Sequence, residues 1–157
     1  YAGAVRPLLQ ISPKVVLVDP HFRLRYQVVG TSRTRPSARH RRSLKALLHA
    51  AQAERRVEIF RLMVSKREAL LEDADESRFQ ADLAELLREA GASDIVVEYD
   101  FLDTSHPLDR HPRYLLGNEC GLRFDWGFDT MDDNSTNHVE WIGAAALAPL
   151  LDRFMCR

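Results

Sequence analysis

The apolar residues of the chain form short continuous runs that alternate with stripes of helical spacing. Residues 15–18 are four consecutive apolar positions closed by Asp19 and Pro20, which predicts a strand buried on both faces, as at the centre of a sheet covered by helices. Residues 57–62 and 95–99 predict two more strands. Strands that alternate with helices indicate β-helix-β units with right-handed crossovers and a parallel sheet.

Two apolar stripes predict the helices between these strands. The first stripe has the spacing i, i+3, i+4 and i+7 and consists of Leu44, Leu47, Leu48 and Ala51. It predicts a helix that begins near Ser37, after a loop over the turn-rich residues 30–36. The second stripe predicts a helix that opens at Asp73 and Asp75 and is closed by Gly91.

The pattern changes after residue 101. Residues 113–116 and 122–126 are short β runs joined by a glycine-containing turn, so they predict an antiparallel hairpin that joins an edge of the parallel sheet. Residues 139–142 predict a last strand, and residues 145–154 predict a closing helix. The predicted fold class is therefore α/β: three layers, with a mostly parallel mixed sheet and a C-terminal antiparallel hairpin.

Length and composition indicate one globular domain over residues 1–157, because 157 residues with 45% hydrophobic and 29% charged positions are typical of a single core. The chain starts at Tyr1, so we expect a segment of a longer protein whose other domains are partners. Cys120 and Cys156 have neither CxxC nor zinc-finger spacing, which excludes a zinc ribbon and favours a reducing, cytoplasmic setting. The longest apolar stretch, 144–151, is too short to cross a bilayer.

The candidate chemistry begins with His111 and Arg113. Because side chains alternate along a strand, two residues with this spacing point to the same side. The imidazole can attack phosphorus or transfer protons, and the guanidinium fork can neutralise phosphate oxygens. Asn118 and Glu119 follow in a turn, and the segment Gly127-Phe128-Asp129 comes after the next strand. No motif indicates a cofactor.

This order of residues resembles the phospholipase D superfamily. His-x-Arg, a polar residue seven positions after the histidine and the segment 127–129 are similar to the superfamily's His-x-Lys-x4-Asp motif and its following Gly-Ser segment. The resemblance implies that His111 is a nucleophile that forms a phosphohistidine and that Arg113 clamps the phosphate. Asn118 then occupies the aspartate position, with Glu119 as a substitute, and Gly127 and Asp129 border the substrate.

The motif departs from that pattern in three ways. Arginine replaces lysine, asparagine replaces aspartate, and the chain holds one motif where an active site of the superfamily needs two. An active form would therefore be a homodimer in which two His111 side chains face each other. The His-x-Arg variant is also similar to the phospholipase D-like C-terminal domain of MIT-domain proteins, which binds membranes, and to bacterial modules attached to larger defence proteins.

Three further features have two interpretations each. Asp19 ends the first predicted strand, where ligands bind in open α/β sheets, or it is a helix cap or turn residue before Pro20. The segment 33–45 has no acidic residue and carries Arg39, Arg41 and Arg42, which suit the phosphates of nucleic acid or of lipid headgroups, or form a solvated surface. The aspartates of 125–133 lack EF-hand spacing and predict an acidic loop, with no metal site.

The sequence thus predicts a phospholipase D-like phosphodiester-binding domain. Its active form would be a nuclease or phosphodiesterase effector that acts through His111 in a homodimer. The alternative is a noncatalytic module that binds membrane phosphates or a protein. Whether the motif is catalytic is left open by the residues alone.

Overall fold

The computed structural model describes residues 2–70, 75–102, 113–124 and 138–156. The helices of these ranges are α1 (Ala2–Ile11), α2 (Ala38–Glu54), α3 (Lys66–Leu70), α4 (Glu76–Ala90) and α5 (Ala144–Phe154). The strands are β1 (Lys14–Val18), β2 (Arg25–Gln27), β3 (Thr34–Pro36), β4 (Ile59–Val64), β5 (Val96–Phe101), β6 (Tyr114–Leu116), β7 (Gly121–Phe124) and β8 (Val139–Trp141). Within the described ranges no helix is both long enough and apolar enough to cross a bilayer.

Six strands form one mixed sheet in the order β5-β4-β1-β6-β7-β8. β1 pairs in parallel with β4, and β4 with β5. On the other side of β1 the strands β6, β7 and β8 are antiparallel. Parallel pairing is therefore confined to one half of the sheet, narrower than the mostly parallel sheet predicted. A tight turn between β6 and β7 allows only antiparallel pairing, because parallel neighbours need a long crossover.

Helices cover the sheet on both faces, which confirms the α/β class and the three layers. The connections from β1 to β4 and from β4 to β5 both move toward the same edge of the sheet. Because such connections share one handedness, α2 and α4 lie on the same face of the sheet. Val15 and Leu17 of β1 belong to the core on that face, with α1. Val16 and Val18 belong to a second core under α5. Burial on both faces makes β1 a central strand, as predicted.

Capping residues fix the helix ends close to the predicted positions. The side chain of Asp75 accepts a hydrogen bond from the Arg78 amide, and Gly91 closes α4 in the left-handed conformation at φ 65°. Ser37 precedes α2. Strand β4 begins two residues later than predicted, because Val57 is buried in the core without joining the ladder.

The hairpin of β2 and β3 and the helix α3 were not predicted from the sequence. The segment 30–36, predicted as a loop, contains β3, which pairs with β2 in a separate two-stranded sheet. The alternation that marks a half-buried strand is missing there, because the consecutive residues Tyr26 and Gln27, and likewise Arg35 and Pro36, are exposed. The helix α3 has only five residues, too few for a helical stripe to appear.

Candidate functional site

Strand β1 lies at the boundary between the parallel and the antiparallel halves of the sheet. The candidate site is at its carboxyl end. Val18 pairs with Tyr114 of β6, so Asp19 and Arg113 occupy the next positions of the same antiparallel register. The main-chain oxygen of Arg113 accepts a hydrogen bond of 2.9 Å from the amide of Phe124. Arg113 therefore enters the sheet between the end of β1 and the end of β7, with its backbone fixed.

Asp19 is buried, with 1% of its surface exposed. Its carboxylate accepts a hydrogen bond of 2.9 Å from the amide of His21, and its own amide donates to the Met63 carbonyl at 3.0 Å. These bonds stabilise the turn after β1, in agreement with the turn interpretation of this residue. They also hold a carboxylate at the edge where Arg113 precedes β6.

Cations follow the neighbouring strand ends at this edge. Lys66 begins α3, two residues after the end of β4, and its Nζ lies 5.8 Å from the centroid of the Phe101 ring at the end of β5. Arg23, in the segment after β1, is 3.8 Å from a carboxylate oxygen of Glu68. His21, two residues before Arg23, is exposed. Lys66 and Arg23 thus lie among the strand ends that surround the buried carboxylate of Asp19, and Arg23 is paired with Glu68.

Asn118 and Glu119 lie at the opposite end of β6. The Asn118 side-chain oxygen accepts a hydrogen bond of 3.2 Å from the amide of Lys14, the first residue of β1. An extended strand rises about 3.3 Å per residue, so roughly 10 Å separate Arg113 from Leu116, and Asn118 lies in the turn beyond Leu116. The structure therefore brings Arg113 together with Asp19, and it does not bring Arg113 together with Asn118 and Glu119.

The turn between β6 and β7 is a packing feature. Burial raises the pKa of the Cys120 thiol, and the negative charge of Glu119 raises it further, while Ser12 acts in the opposite direction. A thiol that keeps its proton is a poor nucleophile. Gly117 lies against Ser12 so closely that a Cβ atom added to it would be 2.9 Å from the Ser12 Cβ.

The basic segment before and within α2 is divided between two roles. The Arg41 guanidinium is 3.1 Å from the carboxylate of Glu85 and 3.4 Å from that of Glu89, and its side chain is 14% exposed. Arg41 thus joins α2 to α4. Arg39 and Arg42 are exposed on α2. Arg41, one of the three arginines predicted to bind phosphate, is therefore engaged with carboxylates of α4.

A partly buried ion pair between residues far apart in the chain was not predicted. Arg25 of β2 donates two hydrogen bonds to the carboxylate of Asp82 on α4. Asp82 is a buried acidic residue within the helix, and the pair is separated by 57 positions in the chain. No local pattern contains such a contact, although an aspartate at a position inside the apolar stripe of α4 is a signal that it needs a buried partner.

His111, Gly127 and Asp129 lie outside the described residues. Among the residues that are described, no cluster of three or more His, Cys, Asp or Glu side chains is arranged to hold a metal ion. No protein-family model matches the chain, and no curated protein matches it.

Proposed function

We propose that the chain is a phospholipase D-like phosphodiester-binding domain whose site lies at the carboxyl end of β1. The observation that carries this proposal is the position of Arg113, next to Asp19 in the register of β6 with β1. Ligands of open α/β sheets bind outside the carboxyl ends of the strands, at the point where the strand order reverses. A guanidinium at that place offers a planar fork that matches two phosphate oxygens.

His111 supplies the proposed nucleophile. It precedes Arg113 by two residues, and two residues span at most about 7 Å, which keeps the imidazole near a phosphate bound by Arg113. A nitrogen of His111 bonds to phosphorus as the bond to the leaving oxygen breaks, and that oxygen takes a proton from His111 of a second copy. Water then gives a proton to this second histidine and breaks the N–P bond, which restores both side chains.

A noncatalytic form of the same site is the second candidate. It is favoured by the position of Asn118, which bonds to the start of β1 at the far end of β6 from Arg113. Without Asn118 and Glu119 the catalytic set is reduced to His111 and Arg113. Such a site binds a phosphodiester without turning it over, as a recognition module for nucleic acid or a lipid headgroup.

Hydrolysis of bis(p-nitrophenyl) phosphate and of DNA separates the two forms. The wild type is compared with His111→Ala, Arg113→Ala and the control Arg56→Ala, an exposed arginine before β4. The catalytic form predicts turnover that is lost in His111→Ala and a phosphohistidine at position 111 detected by mass spectrometry. Full activity of His111→Ala would remove the catalytic form.

Phosphodiester binding tests the proposed site at the end of β1, whether or not the site is catalytic. If the wild type turns over no substrate but Arg113→Ala weakens phosphodiester binding and Arg56→Ala does not, the noncatalytic form stands. If Arg113→Ala changes neither turnover nor binding, the site at β1 is overturned. Light scattering on the purified chain tests the dimer, because the catalytic form requires two copies of His111.

A further inference from the structure

The strands β2 and β3 form a hairpin that stands apart from the main sheet. Tyr26 pairs with Arg35 across the hairpin, and Gln27 pairs with Thr34. The turn is closed by main-chain bonds from Val28 to Arg33, at 2.9 Å, and from Thr31 to Val28, at 3.1 Å. The two strands and their turn are therefore an ordered ribbon.

The ribbon is firmly attached to the helical layer at its base. The main-chain oxygen of Leu24 accepts a hydrogen bond of 2.8 Å from the amide of Ser37, which closes the base of the hairpin. Arg25 at the start of β2 is held by the buried carboxylate of Asp82. Because its base is fixed, the ribbon can present its outer residues in a defined direction.

The ribbon belongs to a segment with an unbalanced charge. From Pro20 to Ala53 the chain contains no aspartate or glutamate. Arg25, Arg41 and Lys45 of this segment pair with carboxylates of α4. The side chains of Arg33 and Arg35, both exposed on the hairpin, make no hydrogen bond or ion pair with any residue that the structure describes. The hairpin therefore carries cations with no acidic partner in the described structure.

Exposed apolar groups accompany these cations. The Tyr26 side chain, directly opposite Arg35, is 39% exposed, and Val29 at the tip is 98% exposed. Exposed apolar side chains next to arginines are typical of surfaces that contact a partner which is both negatively charged and partly apolar. Nucleic-acid grooves, with phosphates at their rims and bases on their floor, have that character.

We infer that the β2–β3 hairpin is a ribbon that enters the major groove of duplex DNA. That groove is about 12 Å wide and admits a two-stranded β-ribbon. Arg33 and Arg35 bind backbone phosphates or guanine edges, and Val29 contacts thymine methyl groups on the floor. A-form RNA is disfavoured as the partner, because its major groove is deep and too narrow for side chains to read.

An anionic membrane fits the hairpin less well. Val29 is a single small apolar side chain at the tip, and the polar residues Gly30, Thr31 and Ser32 follow it. Even a whole myristoyl chain, which buries far more apolar surface, gives only marginal membrane binding. Insertion of one valine is therefore too weak to anchor the domain.

The position of the hairpin connects this inference with the proposed function, on which its orientation rests. The chain leaves β1 at Asp19, forms the hairpin and enters α2 at Ser37, so the ribbon projects from the end of the domain where Arg113 lies. A duplex bound by the ribbon would lie beside the proposed phosphate site. The substrate class that follows is duplex DNA.

Salt-dependent binding of a short fluorescent DNA duplex tests the inference on the full chain. The variant Arg33→Glu/Arg35→Glu is compared with Arg56→Glu/Arg88→Glu, which changes the same charge at exposed positions near the other end of the sheet. We expect the hairpin variant to bind at least about tenfold more weakly, with a salt slope shallower by roughly 2, and the control to bind like the wild type. Thermal unfolding by circular dichroism verifies that both variants fold.

Equal DNA affinity of the hairpin variant and the control would overturn the inference, as would a wild type that binds no duplex DNA. A wild type that binds duplex RNA and duplex DNA equally would also overturn it. So would a hairpin variant that loses binding to phosphatidylserine vesicles and keeps its binding to DNA. Tyr26→Ala gives a charge-neutral check, because it should weaken binding without changing the salt slope. Turnover or binding of bis(p-nitrophenyl) phosphate should be unaffected by the hairpin variant and sensitive to Arg113→Ala, so the ribbon and the phosphate site can fail separately.

Discussion

Asp82 on helix α4 and Arg25 on strand β2 form a two-pronged ion pair at the base of the β2–β3 hairpin. One guanidinium nitrogen of Arg25 is 2.7 Å from the Asp82 Oδ1, and the Nε donates to the other carboxylate oxygen. The Asp82 side chain is 7% exposed and that of Arg25 is 27% exposed. The hydrogen bond to Asp82 raises the pKa of Arg25 above its ordinary value. The pair connects the hairpin to the helical layer.

Asp82→Asn should therefore destabilise the domain. The substitution leaves the guanidinium of Arg25 without its negative partner in a largely buried site, and breaking such a pair costs about 3 kcal/mol. Urea unfolding measures this loss. Asp152→Asn on α5, where the carboxylate is exposed, is the matched control and should have little effect. An equal and small change in both variants would show that the ion pair adds nothing.

Gly117→Ala should destabilise the domain by overpacking the β6–β7 turn against Ser12. The added Cβ would lie 2.9 Å from the Ser12 Cβ and closer still to its hydroxyl, and overpacking of this kind costs about 1–3 kcal/mol. The cost should shrink when Ser12 is replaced by glycine, since both clashing atoms are then gone. A double-mutant cycle of Ser12→Gly with Gly117→Ala measures the coupling, and strict additivity would contradict this packing.

The two cysteines should differ in reactivity. Burial raises the pKa of Cys120, so its thiolate fraction is low at mildly alkaline pH, whereas Cys156 is exposed. Iodoacetamide should label Cys156 first, as mass spectrometry of the folded chain can show. The raised pKa also predicts that stability is fully present below the unfolded thiol pKa of about 8.5 and falls as the pH rises toward the folded value. Faster labelling of Cys120 than of Cys156 would refute the assignment.

Charge reversal on α2 should separate structural from surface arginines. Arg41→Glu loses the ion pairs with Glu85 and Glu89 and places a third carboxylate beside them, which should cost about 1 kcal/mol. Arg42→Glu, at an exposed position of the same helix, should leave the free energy of unfolding nearly unchanged. Thermal unfolding of the two variants checks this, and equal loss in both would contradict the division of roles.

The elements predicted correctly from the sequence are those with strong local signals. The apolar run of β1 and the caps of α4, Asp75 and Gly91, each act within a few residues, so the sequence alone contains them. The β2–β3 hairpin was missed because its side chains are exposed and carry no alternation. The Arg25–Asp82 pair depends on contacts between residues far apart in the chain, which no window along the sequence includes.

In the candidate site, too, only the features that depend on neighbouring residues could be predicted from the sequence. The spacing of His111 and Arg113 is readable from the sequence, and the link between Arg113 and the proposed phosphate is still a prediction. The approach of Arg113 to Asp19 depends on strand order, because β6 lies beside β1 although almost a hundred positions separate them. The grouping with Asn118 was expected from proximity in sequence, but a strand between two residues holds them apart.

The most direct test of the account is the affinity of Arg113→Ala for a thymidine dinucleotide, a small phosphodiester that is too short to engage the hairpin and the β1 edge at once. Isothermal titration compares this variant with the wild type and with Arg56→Ala. The account predicts binding that is weaker by about tenfold or more in Arg113→Ala, since a charge-assisted bidentate hydrogen bond to phosphate is lost, and unchanged in Arg56→Ala. Equal affinity of all three proteins would contradict a phosphate site at the carboxyl end of β1.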